Sequence, residues 1–230
     1  MKVYKYIVLV ASLAATIFLG ICITKIGQQD RSVTVRGLSE REVDADLAIW
    51  PVKYKVASND LSTLQNEIVT KNQALEKYLN SYGLDSSDYT IQASSITDVS
   101  MNMYLDKDKQ TYKYLADQTF LVRSNKVQNV KNAQKDSLQL LKSGIALNNN
   151  YYESQITFEF TKLNEIKPEM IAEATQNARL AAEQFAHDSH SKVGKIKNAT
   201  QGLFTIENAA QGLEDKKTIR VVTSVEYLLK

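Results

Sequence analysis

The chain predicts an α+β fold: a mixed or antiparallel sheet with helices packed on one side, preceded by a single N-terminal transmembrane helix. Three observations predict it. Ile7 to Ile23 runs without a charge, with Lys2 and Lys5 before it and Lys25 closing it. Beyond residue 28, stretches of two-residue apolar period are interleaved with stretches of helical period. Hairpin signals fall among the helices, which favours antiparallel neighbours over a succession of parallel crossovers.

The apolar run sits at the short end for a span, since a helix needs about 17 to 25 apolar residues to cross a bilayer. The rival reading is a cleaved signal peptide, which ends in a small-residue site. The exit Ile21-Cys22-Ile23-Thr24 offers none. Cys22 does not make a lipoprotein signal, because Ile21 stands where such signals carry a small residue. Tyr4 and Tyr6 suit an interface, and the leading lysines favour a cytoplasmic N-terminus. The expectation is a cytoplasmic tip and signal anchor over 1–28. An extracytoplasmic domain over 29–230 follows, single-pass in the cytoplasmic (inner) membrane and facing the periplasm or the outside.

Composition narrows the function classes. The formal net charge is +2, but three lysines lie within residues 1–25; 25 basic and 26 acidic residues remain, a net of −1. That is no footprint for nucleic acid. Cys22 is the one cysteine of the chain, so the exported part has no disulfide and no thiol chemistry. Two prolines and eight glycines argue against a long linker or low-complexity tail.

The elements follow in order. Ser32 to Val35 alternates, and Gly37-Leu38-Ser39-Glu40 then interrupts the strand. Leu47 to Val56 is extended, with Ala48, Trp50, Val52, Tyr54 and Val56 on one face and Trp50 a core anchor. Pro51 cannot donate to a ladder, which makes this strand an edge or bulged there. Leu61, Leu64, Ile68, Leu75, Tyr78 and Tyr82 have helical spacing, with caps among Ser58, Asn59 and Asp60 and a stop at Gly83. A strand from Tyr89 through Ala93 resumes over Val99, Met101 and Met103. Asp106-Lys107-Asp108-Lys109 makes a solvated hairpin tip, and Tyr112, Tyr114, Ala116, Phe120 and Val122 return on one face. Val127, Val130, Leu138 and Leu141 mark a second helix ending at Gly144. Ile156, Phe158 and Phe160 alternate as a strand. Ile171, Ala174, Ala178, Ala181 and Phe185 give a third helix, with Pro168 in its first turn. Its alanines let it lie close to a sheet. Val193 to Ile206 reads as one strand, and Ile219 to Leu229 as the last. The predicted sequence of elements is β-α-β-β-α-β-α-β-β.

Three places carry a resemblance. They are Val33-Thr34-Val35-Arg36-Gly37 with Ala45 to Val52, Leu84-Asp85-Ser86-Ser87-Asp88-Tyr89-Thr90-Ile91, and Ala174 to Glu183 followed by Val193-Gly194. In this order and spacing they resemble the SIMPL-domain family of bacterial exported proteins, over nearly all of residues 32–230. The resemblance implies an α+β fold, an envelope location, links to envelope or oxidative stress in some members, and oligomers. It implies no catalytic residues.

The candidate sites are few. His187-Asp188-Ser189-His190 places two histidines three apart, but a zinc site needs three or four ligands and no cysteine can help. The same residues suit a helix C-terminus. Asp106 and Asp108 have the spacing of a calcium loop without its later Gly and Glu. Asp44 and Asp46 project to one side of an extended chain, as a soluble strand face does. No nucleophile elbow or phosphate loop occurs. Asn198-Ala199-Thr200 is a formal glycosylation sequon. Tyrosines gather around the hairpin and near Tyr151 and Tyr152; Tyr104, Tyr112 and Tyr114 are the candidate interface, because Tyr is enriched at partner surfaces. β propensity alone also accounts for them. The expectation is a membrane-anchored, non-catalytic binding or assembly module, with no cofactor and no metal. Its partners are the membrane, through the N-terminal helix, and a second copy or another envelope protein. The alternatives are an envelope enzyme with an unrecognised active site and a purely structural oligomeric scaffold.

Overall fold

The computed structural model describes residues 31–101, 111–147 and 154–230. The apolar run Ile7–Ile23, Cys22, Tyr104, the tip Asp106–Lys109, Tyr151 and Tyr152 lie outside the described residues. Among the described residues no helix is long and apolar enough to cross a membrane. The elements are strands and helices in a mixed α+β arrangement, and the strand pairs whose registers are resolved are antiparallel.

Strands β1 (Ser32–Asp44) and β2 (Leu47–Ser58) precede helix α1 (Leu61–Ser81). β3 (Tyr89–Ile91), β4 (Ser95–Asp98), a 3-10 turn at Val99–Met101 and β5 (Tyr114–Ser124) follow. Then come α2 (Val127–Lys135), a 3-10 helix at Ser137–Ser143, β6 (Thr157–Glu159) and the long α3 (Leu163–Asp188). β7 (Val193–Gln201), β8 (Thr205–Asn208) and β9 (Lys216–Leu229) complete the chain. The chain divides into two compact units.

The larger unit, Glu40–Pro168 with Thr205–Arg220, is built on a five-stranded sheet ordered β3-β5-β2-β6, with β4 also on β5. As expected, Ala48, Trp50, Val52, Tyr54 and Val56 are buried together, meeting Ala116, Phe120 and Val122 of β5. Leu64, Ile68, Leu75 and Leu79 of α1 and Val127, Val130 and Ala133 of α2 close that face. Lys55, Asp117 and Arg123 stay exposed on the other. Pro51 follows the rule for edges in part. It pairs Leu121 on one side, while β6 covers β2 only over Leu47–Ile49, so its missing donor faces no full ladder.

Among the described residues the smaller unit takes 31–39, Glu169–Phe204 and Val221–Lys230. Its core is Val35, Ala178, Ala182, Val225 and Tyr227. The alanines do what their size allows. A Cβ on Gly37 would lie 1.8 Å from the Ala174 carbonyl oxygen and 2.4 Å from the Ala178 nitrogen. Helix and strand therefore touch backbone to backbone, which only glycine against alanine permits.

Five sequence readings need correction. β1 runs unbroken from Ser32 to Asp44, so Gly37-Leu38-Ser39-Glu40 does not interrupt it. α3 starts at Leu163, so Pro168 lies inside it rather than in its first turn, withdrawing one main-chain donor from the ladder. Its buried stripe is Met170, Ala174, Ala178, Ala182 and Ala186; Phe185 is exposed. The second helix is α only to Lys135 and then tightens to 3-10. Leu138 and Leu141 share an outward ridge there, because residues three apart eclipse in that geometry, and Leu140 turns inward instead. The 193–206 segment breaks into β7 and β8 at Gly202, whose nitrogen donates to the Val222 carbonyl. The 89–103 strand breaks between β3 and β4, where the buried Gln118 amide donates to the Gln92 carbonyl at 2.8 Å and Gln118 accepts from the Ser94 hydroxyl. Val99–Met101 then forms a turn capped by Asp98, which accepts from the Ser100 amide.

Candidate functional site

Asp85 and Asp88 form a dense polar cluster. The Lys126 ammonium donates to Asp85 at 3.1 Å, to Asp88 at 2.7 Å and to the Gly83 carbonyl at 3.0 Å. Ser124, buried, donates to the other Asp88 oxygen at 2.6 Å. Hydrogen bonds from Ser87, then Lys126, hold the Asp85 carboxyl down at about 2. For Asp88 burial works upward, but donors from Lys126 and Ser124 leave the carboxyl below its ordinary value. Lys126 is correspondingly raised by the same two carboxylates. Both acids are thus ionised and their oxygens are engaged. The cluster pins the turn between α1 and β3 onto the end of β5, and every part of it is consumed in doing so. The Leu84–Ile91 motif was legible in the sequence; its cation, some 40 residues onward, was not.

The histidines are separated in purpose. His187 is exposed, with Nδ1 3.3 Å from its neighbour Asp188. His190 has φ +53. Its nitrogen donates to the His187 carbonyl and the Ser191 nitrogen donates to the Ala186 carbonyl. This pair of bonds is the Schellman end of a helix, with His190 in the left-handed position. Gly83 and Gly144 end α1 and the 3-10 helix in the same way, with Leu84 and Ile145 turned into the core. Among the described residues no group of three or more His, Cys, Asp or Glu is placed to hold a metal ion.

The tyrosines divide. Tyr54 is buried, its hydroxyl donating to Asn72 at 2.5 Å, and burial pushes its phenol up to about 12. Tyr78 donates to the Ala133 carbonyl and Tyr82 to Asp136, tying α1 to α2 and to the residue that follows it. Burial raises the Tyr78 phenol. Of the candidate interface residues, Tyr112 stands 48% exposed. Tyr114 is half-buried under the Lys113 ammonium, 5.0 Å from its ring centre. Tyr104 lies outside the described residues, so the three are not seen together.

Asp44 and Asp46 part company. Asp44 accepts from Lys216 at 2.8 Å. Asp46 accepts from the Thr161 amide at 2.8 Å and leaves its second oxygen buried without a partner. Lys217 is turned to the buried face of β9 and donates to Asn208 at 2.5 Å. Burial lowers its pKa.

Two surfaces stand out among the described residues. The first is β7, an edge strand in the order β1-β9-β7. Lys195 to Gln201 are exposed on both of its faces. Ile196 is half-uncovered and Leu203, in the break after it, is 91% exposed. The second is a cavity of about 540 Å³ between α1 and the 3-10 helix. Lys77 and Lys142 stand on its walls, with Gln73, Gln139, Thr70 and Ser143 around them. A smaller cavity of about 310 Å³ shares Thr70 and Ser143 with it. No spacing in the sequence announces the first cavity, because its residues come from two segments some 65 apart.

With the fold in view, the class of protein is an α+β domain whose signatures are structural turns and close packing. The chain matches the family described as SIMPL: Protein of unknown function (DUF541) over residues 33–227, more than four-fifths of its length, and belongs to that family. No curated protein matches it.

Proposed function

We propose that this chain is a membrane-anchored, extracytoplasmic, non-catalytic module that assembles with another envelope chain, serving envelope or oxidative stress defence. The anchor is the Ile7–Ile23 run with its leading lysines, which favour a cytoplasmic N-terminus. The observation that carries the reading is β7, a nine-residue strand whose outer edge pairs with no strand among the described residues, with Ile196 uncovered on it and Leu203 uncovered just after it. An open edge offers main-chain donors and acceptors to an added strand, and flanking side chains select which strand is accepted.

The test places a photo-crosslinking side chain at Ile196 or Leu203 in cells. Crosslinks to a second copy or to one envelope protein are the expected result, with none from Lys55 on β2. Ile196→Lys and Leu203→Lys should abolish those crosslinks and leave the melting temperature within the narrow range of surface changes, about 0.5 kcal/mol. Crosslinking that survives both charges would sink the assembly reading. Protease added to spheroplasts checks the topology: residues 30–230 should be digested, and full protection would remove the extracytoplasmic placement.

A further inference from the structure

The cavity beside α1 is lined by two cations and no acid. Several other lysines of this unit are neutralised within the fold. Lys126 meets Asp85 and Asp88, Lys131 meets Asp215 at 2.6 Å, and Lys216 meets Asp44 at 2.8 Å. In the adjoining smaller cavity Lys71 lies 3.9 Å from Glu67. Lys77 and Lys142 make no ion pair among the described residues, and no Asp or Glu lines the cavity they share. Two positive charges thus face one space, and nothing in its wall offsets them. Each costs the other some electrostatic energy, which an anion between them would recover.

Beside Ala74, Tyr78 and Leu140, the rest of the lining is suited to hydroxyl groups. The amides of Gln73 and Gln139 and the hydroxyls of Thr70 and Ser143 each donate and accept. The walls are fixed rather than loose. Tyr78 ties α1 to the end of α2 through the Ala133 carbonyl. Leu140 is buried against the core, and Gly144, with φ +69, closes the 3-10 helix directly after Ser143. A volume of about 540 Å³ falls within the range of small-molecule sites, roughly 300–1,000 Å³.

We propose that this cavity binds a phosphate ester that carries hydroxyl groups. The phosphate lies between the Lys77 and Lys142 ammoniums, which serve as point charges for it. The hydroxyls meet Gln73, Gln139, Thr70 and Ser143. A phosphate monoester brings close to two negative charges at neutral pH, equal to the two cations that await it. Such an ester comes free in solution or as the glycerol phosphate headgroup of a lipid.

The experiment measures acylation rates of individual lysines in the full-length chain, in neutral detergent, by peptide mass spectrometry. Glycerol 3-phosphate should slow Lys77 and Lys142 while leaving Lys195 unchanged, and glycerol should slow neither. Lys77→Gln and Lys142→Gln should each weaken the affinity about tenfold, the effect of losing one charge-assisted contact, with circular dichroism unchanged. Repeating the labelling in phosphatidylcholine bilayers, with and without phosphatidylglycerol, separates the two sources. Protection in the second bilayer alone assigns the lipid headgroup. Protection only by the soluble ester assigns the free compound. Equal slowing of every exposed lysine means bulk screening and overturns the proposal. So does undiminished affinity in both glutamine variants.

Discussion

Gly37→Ala adds one methyl group to β1, and the structure sets its cost. The new Cβ would sit 1.8 Å from the Ala174 oxygen and 2.4 Å from the Ala178 nitrogen, where ordinary contact begins at 3.4 Å. α3 must therefore retreat by roughly 1.5 Å over at least two turns. Retreat strips contact from Val35, Ala178, Ala182, Val225 and Tyr227 together, the core cluster of that unit. Overpacking usually costs about 1–3 kcal/mol because side chains yield. Here both obstacles are backbone atoms, so the loss should reach about 3 kcal/mol or more, the top of that range. A chain of this size should lose about 6–12 °C in melting temperature, at roughly 2–4 °C per kcal/mol. Urea titration followed by circular dichroism reads the loss, and hydrogen exchange at the α3 amides locates it. Ala174→Gly and Ala178→Gly should not rescue the variant, since they remove no clashing atom. A cost under about 1 kcal/mol, the size of an ordinary surface change, or a rescue by either glycine, would refute the reasoning.

Two further outcomes follow from the turns. Asp85 and Asp88 titrate below the ordinary carboxylate value in the folded chain; their contribution is complete above about pH 4 and should drain away as pH falls toward 2. Ser124→Ala takes a donor from Asp88 and should cost about 1.5–3 kcal/mol near pH 7. The gap from the parent should narrow at pH 3 in urea titrations, and a pH-independent gap would count against the cluster. His190→Gly puts the residue that tolerates positive φ at the end of α3, and should raise stability by about 0.5–1 kcal/mol. A loss of stability in thermal melts would mean that the imidazole holds something the backbone bonds do not explain.

Where the sequence was legible, one period governed. β2 and β9 alternate strictly, so Trp50, Val52, Tyr54 and Val56, and Ile219, Val221, Val225 and Tyr227, could be assigned to buried faces from spacing alone. It misled where two periods compete. Leu138 and Leu141 fit an α-helical face three apart and also the outward ridge of a 3-10 helix, and nothing in their spacing separates the two. Gln118 sits on an apolar strand face as a polar residue, but its use, closing the gap between β3 and β4, depends on a strand break 26 residues earlier. The site suffered most. Lys77 and Lys142 look like ordinary solvated lysines in any local window, and only the packing of two segments sets them on one cavity.

The two open surfaces ask for different kinds of recognition. An unpaired edge is a hazard as well as an opportunity, and chains blunt it with lysines, bulges or cover. β7 carries Lys195 and Lys197 and two irregularities in its pairing with β9, at Val193/Ile196 and Ile196/Asn198. These discourage pairing with whatever strand happens by. Ile196 and Leu203 nevertheless remain uncovered beside them. Guarding a strand while leaving apolar side chains on it makes sense for a chosen partner, whose register and charge fit the irregular edge. It makes little sense for a bare surface, because charged residues at those two positions would have been safer. On this reading the lysines set which strand is admitted and the apolar residues supply the affinity once it is. Lysine variants of β7 should then broaden the set of crosslinked partners, whereas Ile196→Lys and Leu203→Lys should empty it.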